Sequence, residues 1–489
     1  MEANRILSMT IHNIKNVKNG TLDFCENENV KNGIFCNNSG ILGLYGQNGS
    51  GKTTIIKAFA LLQHLAINRK LNNFNEKGDR IPNNFDYILD LEENDGFIEY
   101  VFLIFCDNNP YIVKYRLDLY REKDNIINKI SKESLSVTPY FSKEKTKFKG
   151  EFAPLEFDYR INTLSYLYDG IKHETENVKI KNSQINDYTL INSRKIASIE
   201  AGASVIFSNE VQDYLINNNN EKVKTVGKVL YQLKKQLIGN LYIYDNEIDS
   251  LFNIGLGSIF GVYTDKEKKI EMHGQILISN YSFEILEENK PIYDSFIEQI
   301  NIFISSFVPN FKARMKKISE KIDENGKKTL KVAIFRCVGP NEMELPLSEE
   351  SSGIKKLFSI SCALVHVYGC AGAWLIVDEF DSGVFEKLLG QILSVIQEKG
   401  KGQILFTAHN LRPLESINSQ SIVFTTNNPD NRYIRFPKSM IKEGSNLRSL
   451  YLRALAVGGV KEELSSDVEE YEIDYALYKA FDIIKMPKE

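Results

Sequence analysis

A chain of 489 residues can bury a large core and house more than one domain. Its formal charge of −4 and pI near 6.0 exclude a basic field over the whole molecule, so any contact with nucleic acid must rest on a local patch. The six cysteines (Cys25, Cys36, Cys106, Cys337, Cys362, Cys370) form no C-x-x-C pair and have no histidines at zinc-finger spacing, which argues against a zinc site or disulfide framework and for a reducing cytosol.

The N-terminus enters an alternating apolar pattern at once, without the basic-then-apolar layout of a signal peptide. Leu7, Met9 and Ile11 fall on one face of a predicted strand, and a second strand is predicted near Thr21 to Phe24. A short apolar strand, ILGLY, follows between Gly40 and Gly46. Residues 52–66 (KTTIIKAFALLQHLA) carry apolar residues at helical spacing with no glycine or proline, so this strand feeds a loop and then a helix.

From about Leu71 to Phe311 the chain is rich in Asn, Lys, Asp and Tyr. Strand-like pieces at Gly96 and Tyr111 alternate with segments 221–237 and 295–322, which read as helices with basic faces, and Asn217 to Asn220 reads as a surface loop. None sustains the heptads of a long coiled coil. A turn at Asp323–Gly326 then leads into a strand, KKTLKVAIFRCV. Leu357 to Val377 is uncharged for the length of a membrane span, but His366, Gly369 and Gly372 interrupt it and Asp378-Glu379 ends it. A buried helix, a turn and a central parallel strand fit better. Another helix, a strand at Gln403 to Thr407 and an acidic amphipathic helix near Val468 to Ile484 complete the order. Strands alternating with helices imply a mostly parallel sheet.

Four motifs carry chemistry. Gly46-Gln47-Asn48-Gly49-Ser50-Gly51-Lys52-Thr53 fits G-x-x-x-x-G-K-[ST] with a strand before it and a helix after it. Gly46, Asn48, Gly49, Ser50, Gly51, Lys52, Thr53 and Thr54 are the expected ATP cradle: backbone N–H groups face phosphate oxygens, Lys52 reaches the β- and γ-phosphates and Thr53 ligates Mg²⁺. LIV-Asp378-Glu379 is an apolar strand ending in two carboxylates, with Asp378 expected on the metal and Glu379 on the attacking water. Thr407-Ala408-His409-Asn410 follows the next strand and brings His409 to the same sheet edge, near the γ-phosphate. LSEESSGIKK, from Leu347, sets serines and a glycine at a helix start, either an anion site or a plain N-cap.

In this order the motifs resemble the ABC-type ATPase heads of the RecF, SMC and OLD-like group. ESSGIKKL, VDEFDSG and TAHN, with the opening ILSMTIHNIKNVKNGTLDF, are most similar to stand-alone ATPases of anti-phage defence systems such as PARIS, Septu and retrons. The resemblance covers residues 1–70 and 330–460. It implies an α/β fold with an ABC-type split head; outside its reach, residues 71–329 are expected as an insertion or arm with strands continuing the head and helices for partner or self-assembly, and residues 461–489 as an acidic amphipathic C-terminal helix. It further implies that two chains sandwich ATP and Mg²⁺, that Ser351 and Gly353 touch the γ-phosphate in trans, and that Asp381 with Ser382 forms a loop crossing between heads. The pattern departs from the family at two points: the signature is not L-S-G-G-Q, leaving Ser348, Ser351 and Ser352 open, and no glutamine occurs from His64 to Ser183 for the usual magnesium contact.

The short stretch after His409 leaves no room for an attached Toprim nuclease, so a nuclease or toxin is expected on a separate protein. The implied partners are further copies of the chain and that effector. The implied role is an ATP-driven cytoplasmic sensor and scaffold of a defence system. A RecF-type repair ATPase clamping DNA is the alternative, suggested by lysines between Phe311 and Lys331. A transporter subunit fits poorly because the insertion is too long, and no membrane contact is expected.

Overall fold

The computed structural model describes residues 3–24, 40–71, 85–121, 128–140, 202–245, 281–322, 326–339, 342–436, 446–457 and 464, the helix at 470–485, and strand segments at 73–74, 80–81, 152–158, 163–168, 171–174, 256–265 and 270–279. Cys25, Cys36 and positions 323–325 of the expected turn lie outside them. Gly326, at φ +76°, begins the run into the strand Lys328–Val338.

Six strands form the sheet that carries the motifs, in the order Leu241–Tyr244, Trp374–Val377, Gln403–Thr407, Gly40–Tyr45, Ile422–Thr425 and Tyr433–Ile434. All neighbours are parallel except the last pair. Its strands are mostly apolar because both faces are covered, with Gln403, Thr407 and Thr425 as buried polar exceptions. Leu42, Leu44, Trp374, Ile376 and Leu405 face one core, shared with the helices Lys52–Ala66 and Glu221–Gly239. Ile41, Tyr45, Leu375, Val377, Ile404 and Phe406 face the other, against the helices Lys290–Ser305, Ser352–Gly369 and Glu386–Lys399. The uncharged stretch at 357–377 is thus a buried helix, a turn and a strand. Among the described residues no helix is long and apolar enough to cross a membrane.

Over the first core lies an antiparallel sheet of eight strands, in which the N-terminal hairpin Arg5–Ile14 and Val17–Asp23 continues into strands of the insertion, beginning with Asp95–Cys106 and Asn109–Arg121. A register shift between Ile6 and Ser8 alters the expected face: Ile6 is buried with Met9 and Ile11, whereas Leu7 is partly exposed. An extra residue at a bulge reverses the alternation, which periodicity does not reveal.

The two sheets are fastened by side chains. Trp374 stacks on Phe102 at 5.6 Å between ring centroids and donates its indole N–H to the carbonyl of Asn4. Gln403, 2% exposed, takes the N–H of Ile6 at 2.7 Å and donates to the carbonyl of the same residue at 2.9 Å. Its amide therefore stands in for a neighbouring strand.

The reading of 295–322 as one helix is corrected. The helix ends at Ser305, the chain turns through Asn310 at φ +58°, and Ala313–Ile322 is a strand paired antiparallel with Lys328–Val338. The alternation in KKISEKI belongs to an exposed edge strand, whose charges discourage pairing with another chain. Its basic residues and the preceding Lys312 are partnered: Lys312 and Arg314 with Glu342, Lys316 with Glu344, Lys317 with Glu320, and Lys321 with Glu284. The expected Asn217–Asn220 loop joins two helices, and Asn220 caps the second by accepting the N–H of Lys222 at 2.9 Å.

Replacing Gln403 with leucine leaves both backbone groups of Ile6 buried and unpaired. The expected loss of unfolding free energy is about 2–5 kcal/mol, read as a lower urea midpoint at unchanged slope.

Candidate functional site

Parallel pairing sets the site. The strands Gly40–Tyr45 and Trp374–Val377 flank Gln403–Thr407 and run in the same direction, so the loops following all three emerge at one sheet edge. There, Lys15, Asn16, Asn48, Gly49, Gly51, Lys52, Thr53, Thr54, Asp378, Glu379 and His409 line one cleft of about 360 Å³. Lys52 and Glu379, far apart in the chain, share it.

The loop is held in shape from outside. At Gly46 a Cβ would lie 1.7 Å from the Thr425 hydroxyl oxygen, so only glycine fits. Ser50 is turned inward, its hydroxyl 2.5 Å from that of Thr425 and donating to the carbonyl of Gln47. The buried Tyr433 donates to the carbonyl of Gly51 at 2.8 Å. Gly51, at φ +91°, starts the helix Lys52–Ala66 without a side-chain cap, leaving the first-turn N–H groups to face the cleft. Lys52 donates to the carbonyls of Gly46 and Gln47 at 2.8 and 2.7 Å. Burial draws its pKa below the ordinary lysine value, opposed by the carboxylates of Asp378, Glu379 and Asp381.

Opposite the loop, Thr407 organises the acids. It donates to one carboxylate oxygen of Asp378 at 2.5 Å, and its hydroxyl accepts the N–H of Glu379 at 2.7 Å. Asp378 is 1% exposed, and its second oxygen has no hydrogen-bond partner. A buried orphan carboxylate oxygen in the same cleft as Thr53 suits a hard dication that takes oxygen ligands. The donor set therefore fits Mg²⁺.

Not every expected residue lines the cleft. Asp381 turns its carboxylate back to accept the N–H groups of His409 and Asn410 at 2.9 and 2.6 Å, which ties two loops of its own chain together. Thr54 does line the cleft, with its hydroxyl donating to Asn16 at 3.1 Å. Ser351 and Gly353 lie outside the cleft: Ser351 caps the helix Ser352–Gly369 by accepting the N–H of Ile354, and a Cβ at Gly353 would meet the carbonyl oxygen of Gly383 at 1.9 Å. Ser348 sits in a short turn, and Ser352 is the first helical residue.

The sequence reading missed Lys15, Asn16 and Thr407. The first two occupy the tight turn of the N-terminal hairpin, where Asn13 and Lys15 adopt positive φ. Asn16 donates to the carbonyl of Gly49, and Arg432 donates to the carbonyl of Asn16 at 2.6 Å. The polar run N-I-K-N between apolar strands was the available signal.

A family model described as "AAA domain, putative AbiEii toxin, Type IV TA system" matches residues 41–201, under half of the chain. No curated protein matches it. Among solved structures, the Smc head domain with an extended coiled coil from Pyrococcus furiosus, bound to the C-terminal domain of ScpA, is 14% identical, covering 89% of this chain and 98% of that one at a TM-score of 0.39. The recombination mediator protein RecF with ATPrS is 10% identical over 89% of this chain and 99% of its own, at 0.37. The SMC head domain from Thermotoga maritima is 12% identical over 88% and 99%, at 0.30. The chain has a P-loop NTPase fold with mixed α and β layers, and its motif-bearing sheet is assembled from three distant stretches of the sequence, at 40–45, 241–244 and 374–434.

Thr407→Val removes the hydroxyl that serves both acids and leaves the Glu379 N–H unpaired. It is expected to lower stability by about 2–4 kcal/mol, with Thr407→Ser recovering most of the loss in thermal melts.

Proposed function

We propose that this chain binds and hydrolyses ATP between two copies of its head, and that it acts as the sensor and scaffold subunit of an anti-phage defence system whose effector, a nuclease or toxin, is a separate protein. The observation that carries the ATPase reading is the shared cleft, in which a P-loop lysine meets a buried carboxylate with an unused oxygen and a second carboxylate beside it.

In this reading the open N–H groups of the Lys52–Ala66 helix and the Lys52 ammonium hold the β- and γ-phosphates. Thr53 and Asp378 would hold Mg²⁺, whose bound charge neutralises phosphate oxygens and polarises the phosphoryl group. Glu379 orients and polarises the water and accepts its proton as the water oxygen bonds to the γ-phosphorus and the bond to the bridging β–γ oxygen breaks, giving ADP and phosphate. His409 lies at the γ-phosphate end, where its side chain senses that group. Ser351 and Gly353, which do not line their own cleft, reach the nucleotide of a second copy, and the Asp381 loop lies at the junction.

The defence role draws its support from the matched model, whose description names a toxin of a toxin–antitoxin system, together with the ESSG helix start. The alternative of a DNA clamp loses its main motive, because the lysines between Phe311 and Lys331 that suggested it include Lys312, Lys316, Lys317 and Lys321, each paired with a glutamate. Counterion release makes a true clamp's affinity fall steeply with salt. Weak, salt-insensitive binding to duplex DNA is expected here, and steep salt dependence at high affinity would favour the clamp.

Lys52→Ala is expected to abolish ATP binding. Glu379→Gln should retain ATP, lose about 100-fold or more in turnover and accumulate as an ATP-dependent dimer in light scattering; normal turnover would remove Glu379 from the role of base. Co-expression with neighbouring genes should lower phage plating in an ATP-site-dependent way, and unchanged plating would remove the defence role.

A further inference from the structure

Glu379 has an unusual backbone: at φ +46° it occupies the left-handed region that non-glycine residues seldom enter. Such a conformation persists where its surroundings hold it, and here the holding groups are identifiable. The N–H of Glu379 is taken by Thr407 on the neighbouring strand. Its carbonyl accepts from the ammonium of Lys356, which also lies 3.4 Å from the carbonyl oxygen of Asp378. Lys356 is 1% exposed and lies 5.5 Å from the centre of the Tyr244 ring. A buried ammonium needs such acceptors, and a carbonyl bonded to a charged donor is held more firmly than one bonded to a neutral donor.

Lys356 belongs to the helix Ser352–Gly369, whose start is locked to the loop that follows Glu379. A Cβ at Gly353 would lie 1.9 Å from the Gly383 oxygen and one at Gly383 would lie 2.9 Å from the Ser352 hydroxyl, so the helix start and this loop pack backbone against backbone, too closely for a side chain at either glycine. The helix thus grips both the residue before this loop's turn, through Lys356, and the glycine at its end.

We infer that Lys356 is a positioning residue that fixes the backbone of Glu379, and that through it the ESSG helix start of each chain is coupled to the acid of that same chain. Resting on the proposed reading of ATP shared between two heads, this gives the partner's nucleotide, engaged at Ser351 and Gly353, a direct mechanical route to Glu379. The two sites of a dimer are then linked through two buried helices.

Full-length Lys356→Met and Lys356→Arg test this, with Lys356→Gln standing in if the methionine variant does not fold. In Lys356→Met, kcat should fall about tenfold or more, while KM and the affinity for a fluorescent ATP analogue stay within about twofold; Lys356→Arg should recover most of the rate. A proportional loss of analogue affinity, or full kcat in Lys356→Met, overturns the positioning role. Hydrogen exchange without nucleotide reads the clamp directly: amides from Glu379 to Gly383 should exchange about tenfold or more faster in Lys356→Met, with those of 403–407 unchanged. Unchanged exchange at Glu379–Gly383 overturns the clamp even if ATP is hydrolysed, whereas faster exchange in a chain that hydrolyses no ATP upholds the clamp and removes the hydrolysis reading.

Discussion

The site depends on one strand being shared. Gln403–Thr407 lies between the strand that leads into the phosphate loop and the strand that ends in the two acids, parallel to both. Their side chains face each other only because this third strand spaces them and its last residue bonds to the acids. The hydroxyl of Thr407 satisfies a buried carboxylate oxygen and a buried N–H at once, and a hydrogen bond to a charged group is worth about 1.5–3 kcal/mol. That magnitude is comparable with the cost, about 1–3 kcal/mol, of holding a non-glycine residue such as Glu379 in a left-handed conformation. A strained acid at the sheet edge is therefore sustained by the strand beside it and by the helix beneath it.

The other end of the same strand does structural work. Gln403 completes the hydrogen bonding of Ile6, and the stacked pair Phe102–Trp374 brings the same two sheets together one strand away. The helix Lys52–Ala66 lies in the core between them, and the buried Tyr100 of the antiparallel sheet donates to its Ala58 carbonyl. The insertion is woven into this arrangement: its strand Leu241–Tyr244 returns to the motif-bearing sheet beside the acid strand, and Asp245, just beyond it, pairs with Lys57 of the loop helix at 3.1 Å.

Motif spacing and strand context made the cleft legible: Lys52, Thr53, Asp378, Glu379 and His409 were all expected at one edge and lie there. What the chain order could not reveal were contacts set by tertiary structure. Thr407 reads as an ordinary strand residue until Asp378 is beside it, and Lys356 reads as a solvated charge in a KK pair until its burial is seen. The bulge at Ile6–Ser8 changes a register without altering composition. At 295–322 a helical pattern ran without a marked break into an alternating one. The helix ends at Ser305, and the signal available for a stop was Pro309 shortly after it, which disfavours helix in the residue before it and precedes Asn310 at positive φ. Lysine outnumbers glutamate across 312–344, which makes the sequence there read as basic, but the fold pairs most of these lysines with glutamates, some of them from outside the segment.

The placement of Gly40–Tyr45 also bears on how the chain is made. Both of its neighbours, Gln403–Thr407 and Ile422–Thr425, come from near the far end of the polypeptide. During ribosomal synthesis at ~5–20 residues per second this apolar segment waits on the order of tens of seconds for a strand to pair with. Through that interval its two edges lack their native partners, and a chain cut short before Gln403 lacks the strands that flank the phosphate loop's own. Demand for holdase chaperones should therefore be concentrated on the nascent chain rather than on the finished molecule.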